Sequence, residues 1–145
     1  MPQYLCKKKM IFFEGFSVPN SAEIQVQLHQ LAERQNFSIH KLSYTFLDQA
    51  AMLSLNQSAL DHDTHTDITT FDYSKASAIE ADIYISLSAL EHNAETYQVS
   101  FQQELCRILA HGLLHCIGFN DKTEQEKLLM RSEEDRFLEC FTWNN

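Results

Sequence analysis

The sequence has 145 residues, 44% of them hydrophobic, which suits one domain over residues 1–145 with a core of moderate size. It has no apolar run of roughly eighteen residues, which excludes a membrane-spanning helix. A net charge of -9 excludes a protein that coats nucleic acid through bulk positive charge, but it is compatible with a local basic groove.

The chain opens without an apolar stretch leading to a small-residue cleavage site, so no export signal is expected. Cys6, Cys106, Cys116 and Cys140 form no C-x-x-C pair and are expected to be reduced thiols in a cytoplasmic protein. Lys7, Lys8 and Lys9 are the one basic run, read as the solvated end of a strand. That strand is predicted over Lys9–Phe13, closed by Gly15 and Pro19. Asn20 or Ser21 then caps a helix to about Asn36, with Ile24, Leu28 and Leu31 spaced for one buried face. Phe37–Leu47 reads as a long strand, because Ile39, Tyr44 and Phe46 favour β structure. Asp48 caps a short helix to about Leu55, and residues 56–66 form a polar loop. Strands follow at Asp67–Tyr73 and Ala81–Leu87, the second alternating Ile83 and Ile85 with Asp82 and Tyr84. Ser88 caps a helix to about Gln98, and a longer helix runs from about Phe101 to Ile117. Thr123 and Glu126 have capping-box spacing at the start of a last helix. These elements predict an α+β fold: a small mixed sheet of about four strands covered by helices.

The segment His111-Gly-Leu-Leu-His115-Cys-Ile-Gly118-Phe-Asn-Asp121 carries the chemistry. Histidines four residues apart share one helix face, with Cβ atoms roughly 5–6 Å apart, so both rings can reach one metal ion. Gly118 can end the helix and let Asp121 return as a third ligand. The spacing matches the second half of the H-E-x-x-H-x-x-G-x-x-H zinc pattern, with Asp121 in place of the last histidine. Gly112 stands where zinc proteases have a glutamate base, which argues against a protease and leaves the proton-transfer residues unassigned. Cys116 points roughly 100° away from His115, and Cys106 also projects off the histidine face. An open fourth position is therefore expected, unless His62, His65 or His92 closes it from a distance. Two histidines and a carboxylate suit zinc and also non-haem Fe(II). The residues alone therefore read as a small metal-dependent hydrolase.

Over roughly residues 40–140 the chain resembles the YbeY endoribonuclease family of rRNA maturation factors. The metal segment is similar to that family's H-G-x-L-H-x-x-G-Y-x-H. Leu55-Asn56, followed ten residues later by Thr66-Asp67-Ile68-Thr69-Thr70-Phe71, resembles its L-N…T-D-V-L-S-F segment. Ala81-Asp82-Ile83-Tyr84-Ile85-Ser86 resembles G-D-I-x-I-S.

The resemblance implies a single-strand-specific, metal-dependent endoribonuclease in 16S rRNA 3′-end maturation and ribosome quality control. It implies one Zn²⁺ per chain, or another divalent transition metal, on His111, His115 and Asp121. Its partners would be single-stranded rRNA and the ribosome or its proteins, with no membrane or DNA partner. Two positions depart from the family. Asp121 replaces a histidine, and the family's basic residue in an N-x-x-Y-R segment falls on Leu60, with Ala59 at the aromatic position. Arg107, one turn before His111, is the candidate substrate-binding residue that could supply the missing cation. The competing expectation is a non-catalytic, ribosome-associated RNA- or protein-binding factor with a structural metal. Four protein ligands would favour that reading, and an open position the enzyme.

Overall fold

The computed structural model describes residues 10–60 and 67–142. The Lys7–Lys9 run, Cys6, His62, His65 and most of the expected polar loop lie outside the described residues. The elements are β1 (Ile11–Glu14), α1 (Ser21–Arg34), β2 (Ser38–Leu47), α2 (Gln49–Leu60), β3 (Ile68–Asp72), β4 (Ala78–Ser86), α3 (Leu87–Tyr97), α4 (Phe101–Ile117) and α5 (Glu124–Leu138). The strands form one mixed sheet in the order β1-β2-β4-β3. β1, β2 and β4 run parallel, and β3 pairs antiparallel with β4. The fold is α+β, with a four-stranded sheet as expected.

Strand alternation builds the core. Leu42, Tyr44 and Phe46 of β2 pair in register with Ala81, Ile83 and Ile85 of β4, and all six are buried. The alternate positions Ser43, Thr45, Asp82 and Tyr84 are only half-buried, so the sheet has one closed face. α1 presents Ile24, Leu28 and Leu31, and α4 presents Leu105, Leu109 and Leu113, all fully buried. The Tyr44 hydroxyl sits within this core and donates to the Leu109 carbonyl at 2.8 Å, tying α4 to the sheet.

Several boundaries differ from the sequence reading. Residues 56–60, expected in the loop, continue α2. Asn56 is buried there, and its side-chain oxygen accepts the Thr69 hydroxyl at 2.8 Å. A polar residue with a tertiary partner does not have to end a helix. Asp48 does cap α2, accepting the Ala51 N–H at 2.8 Å. β4 begins three residues before the expected Ala81, at Ala78. Ser86 rather than Ser88 caps α3, accepting the Ala89 N–H at 3.2 Å, while Ser88 lies inside the helix. Asn20 occupies the cap position of α1 but spends its side chain on Glu23, donating at 2.9 Å, so it caps no backbone N–H.

Candidate metal centre

Three pieces of local chemistry assemble the site. Ser100 starts α4 by accepting the Gln103 N–H at 3.0 Å. Gly118 stops it with φ 120°, a conformation that L side chains resist, and the Gly118 and Phe119 N–H groups close on the Leu114 carbonyl. A Cβ at Gly118 would meet nothing within 4 Å, so its role is conformational and not one of space. The turn then runs into the capping box of α5. Glu126 accepts the Lys122 and Thr123 N–H groups at 3.1 and 2.9 Å, and Thr123 accepts the Glu126 N–H at 3.1 Å. Asp121 immediately precedes this fastened segment.

The result is a convergence of His111, His115 and Asp121, all half-buried. The two Nε2 atoms are 3.0 Å apart, and the Asp121 Oδ2 lies 3.4 Å from each. Ligands bound tetrahedrally at about 2.0–2.1 Å stand roughly 3.3 Å apart, so the three atoms match one face of a metal tetrahedron. The donor set therefore fits a divalent transition ion, and this group can hold one. Among the described residues no fourth ligand joins it. His92 is exposed on α3, outside the group. Cys106 and Cys116 are buried, and burial pushes both thiols up to about 12, so neither offers a thiolate.

The far side of His111 is also occupied. Its Nδ1 lies 2.6 Å from Glu134 Oε2 on α5. Glu134 is 5% exposed, and its other oxygen accepts from Arg107 at 2.9 Å. Arg107 also donates to Asp135 at 2.8 Å. Burial disfavours a charge on His111, but the hydrogen bond and charge of Glu134, with Asp121 and Asp67 adding, outweigh it and raise the His111 pKa. Sequence spacing gave no sign of Glu134, which reads as one acid in a charged run.

These groups open onto a cleft of about 510 Å³. Four carboxylates (Asp67, Glu104, Asp121, Glu134) and three cations (Arg107, Lys127, Arg131) line it. Exposed Tyr97 stands at its edge. Glu104 is buried two turns before His111, and burial raises its pKa; Arg107 and Arg131 oppose that rise, while Glu134 and Asp67 add to it. Arg107, expected as a substrate contact, does face the cleft, but two carboxylates already hold its guanidinium. The structure also explains Gly112. A Cβ there would lie 2.9 Å from Ile83 Cδ1 and 3.1 Å from Ile68 Cδ1, so this position faces the sheet and not the cleft.

The family described as Endoribonuclease YbeY matches residues 15–142, a wider span than the motifs alone covered. The Endoribonuclease YbeY of Cytophaga hutchinsonii is 41% identical over 137 residues, covering 91% of this chain and 96% of the relative. That of Flavobacterium psychrophilum is 44% identical over 107 residues, covering 74% and 76%. A Thermotoga maritima protein solved in solution has the same fold, with a TM-score of 0.65 at 20% identity, over 90% of this chain and 87% of that one. With likeness of this degree running from residue 15 through the histidine helix and α5, the chain belongs to the endoribonuclease YbeY family.

Proposed function

We propose that the protein is a single-strand-specific endoribonuclease that holds one zinc ion on His111, His115 and Asp121. We place it in 16S rRNA 3′-end maturation and ribosome quality control, in the cytoplasm, with the ribosome or its proteins as partners. One observation carries this reading: three ligand atoms converge, and two of their residues, His111 and Asp121, line a cleft that also carries cations and an aromatic ring. When bound, the ion supplies Lewis acidity toward a phosphate oxygen or a water molecule. The protein's own residues do the rest. Lys127 and Arg131, with Arg107 already held by two carboxylates, offer positive charge to the RNA backbone from the lining of the cleft. Tyr97, 61% exposed, offers a ring on which an unpaired base can stack, and a base held in a duplex cannot reach it in that way. Four carboxylates against three cations give the cleft lining a formal charge of -1, so a divalent ion reverses its sign. Substrate attraction and metal loading are then linked.

Three ligands among the described residues favour a catalytic over a structural metal. The test is metal content together with cleavage of a single-stranded 16S 3′-end RNA and of its duplex form. Wild type and His111→Ala would be compared, each with and without a chelator. Expected are one metal per chain and cleavage of the single strand only, both lost in the variant, with weaker RNA binding after chelation. One metal per chain without cleavage would replace the nuclease with a ribosome-associated factor carrying a structural metal.

A further inference from the structure

We propose that Glu134 is a positioning residue for the metal: it fixes the tautomer and orientation of His111, and Arg107 in turn holds Glu134. The inference rests on the metal reading of His111, His115 and Asp121 and adds a second layer to that site.

Glu104 and Glu134 are the buried carboxylates of the described residues. Burying a carboxylate is costly unless its oxygens are paired. Both Glu134 oxygens have partners, and the two partners differ in kind. Oε1 takes a guanidinium N–H from Arg107 at 2.9 Å, and Oε2 meets His111 Nδ1 at 2.6 Å. The backbone makes this arrangement specific. Met130, Phe137 and Leu138 are buried on the same helix, which fixes the rotation of α5 and aims Glu134 at α4. Asp135 grips the other arm of Arg107 at 2.8 Å, so the guanidinium is held between two points.

A neutral imidazole has one donor nitrogen and one acceptor. A carboxylate accepts and cannot donate, so the nitrogen facing Glu134 must carry the proton. That leaves the His111 Nε2 lone pair pointing toward His115 and Asp121, the direction in which a metal would sit. The contact also raises the basicity of the ligating nitrogen. Arg107 thereby gains a role besides substrate contact: it holds Glu134 in the orientation that faces His111.

Glu134→Gln tests this with little change of shape. An amide has one oxygen, and Arg107 requires it. The NH₂ group then faces His111 Nδ1 and drives the ring proton onto Nε2, the nitrogen needed for the metal. Zinc affinity, measured by chelator competition on the metal-free full-length protein, should fall by roughly tenfold to a hundredfold. Imidazole ¹⁵N shifts should show the His111 proton on Nδ1 in wild type and on Nε2 in the variant. Glu133→Gln is the control: it makes the same charge change one residue away, where the side chain contacts Gln35 instead. It should keep wild-type affinity. Unchanged zinc affinity in Glu134→Gln, with a folded wild-type-like spectrum, overturns the proposal. If Glu134→Gln does not fold, the zinc-loaded wild type decides: ligation through Nε2 with a proton on Nδ1 supports the proposal, and ligation through Nδ1 overturns it. If wild type binds no zinc and His115→Ala behaves identically, the metal reading itself fails and this inference falls with it.

Discussion

Gly112 shows how one residue can be read correctly in part and still be misjudged. The sequence identifies it as the position that lacks a protease's glutamate, which suggests a missing function. The structure shows that no side chain belongs there, because α4 packs on Ile83 and Ile68 through the gap a glycine leaves. Gly112→Glu would force a carboxylate into an apolar contact with no partner. It should destabilise the fold by about 3 kcal/mol or more and confer no protease activity. Denaturant melts check this, and a loss below about 1 kcal/mol would show that the helix can lift from the sheet at little cost. His111 makes the complementary point. Its spacing to His115 was legible, but the proton on its other nitrogen is set by Glu134, 23 residues further along.

At the scale of elements, the helix ends bring the three candidate ligands together. α4 must stop at Gly118 and α5 must start at Glu124 for Asp121 to stand 3.4 Å from both imidazoles. The capping box does more than end a helix, since its Glu126 also holds the Lys122 N–H next to Asp121. Thr123→Ala should cost about 1 kcal/mol of stability, read from the denaturation midpoint, and should weaken zinc binding as the Asp121 segment loosens. A loss of stability with unchanged zinc affinity would show that Gly118 alone fixes the turn. The same scale accounts for the boundary errors. Asn56 and Ser88 look like helix stops or starts locally, but Asn56 has Thr69 as a tertiary partner, and the true cap of α3 is the last residue of β4.

At the scale of the whole molecule, stability is tied to groups far from the cleft. Cys106 is fully buried between α4 and its neighbours, and burial, with the charge of Glu23 adding, pushes its thiol from 9.0 to about 12. The sign follows directly. Unfolding releases a thiol that ionises near 9.0, so its contribution is fully present below that pH and is lost as pH rises toward 12. Between pH 9 and 10, wild type should lose roughly 1 kcal/mol more stability than Cys106→Ala. Parallel pH–stability curves for the two proteins would show that the buried thiol escapes its burial penalty.

The sequence by itself determined the α+β class, the helix of residues 101–117 and the convergence of His111, His115 and Asp121 as candidate metal ligands, because each rests on short-range periodicity, capping or a local turn. Only the tertiary structure decided what surrounds those ligands. Glu134 and Arg107 meet His111 through the packing of α5 on α4, Tyr97 reaches the cleft from α3, and Gly112 meets the sheet through β4 and β3. Such contacts join residues far apart in the chain. They depend on how helix faces and strand registers are brought together, and no local pattern of residue types encodes that geometry.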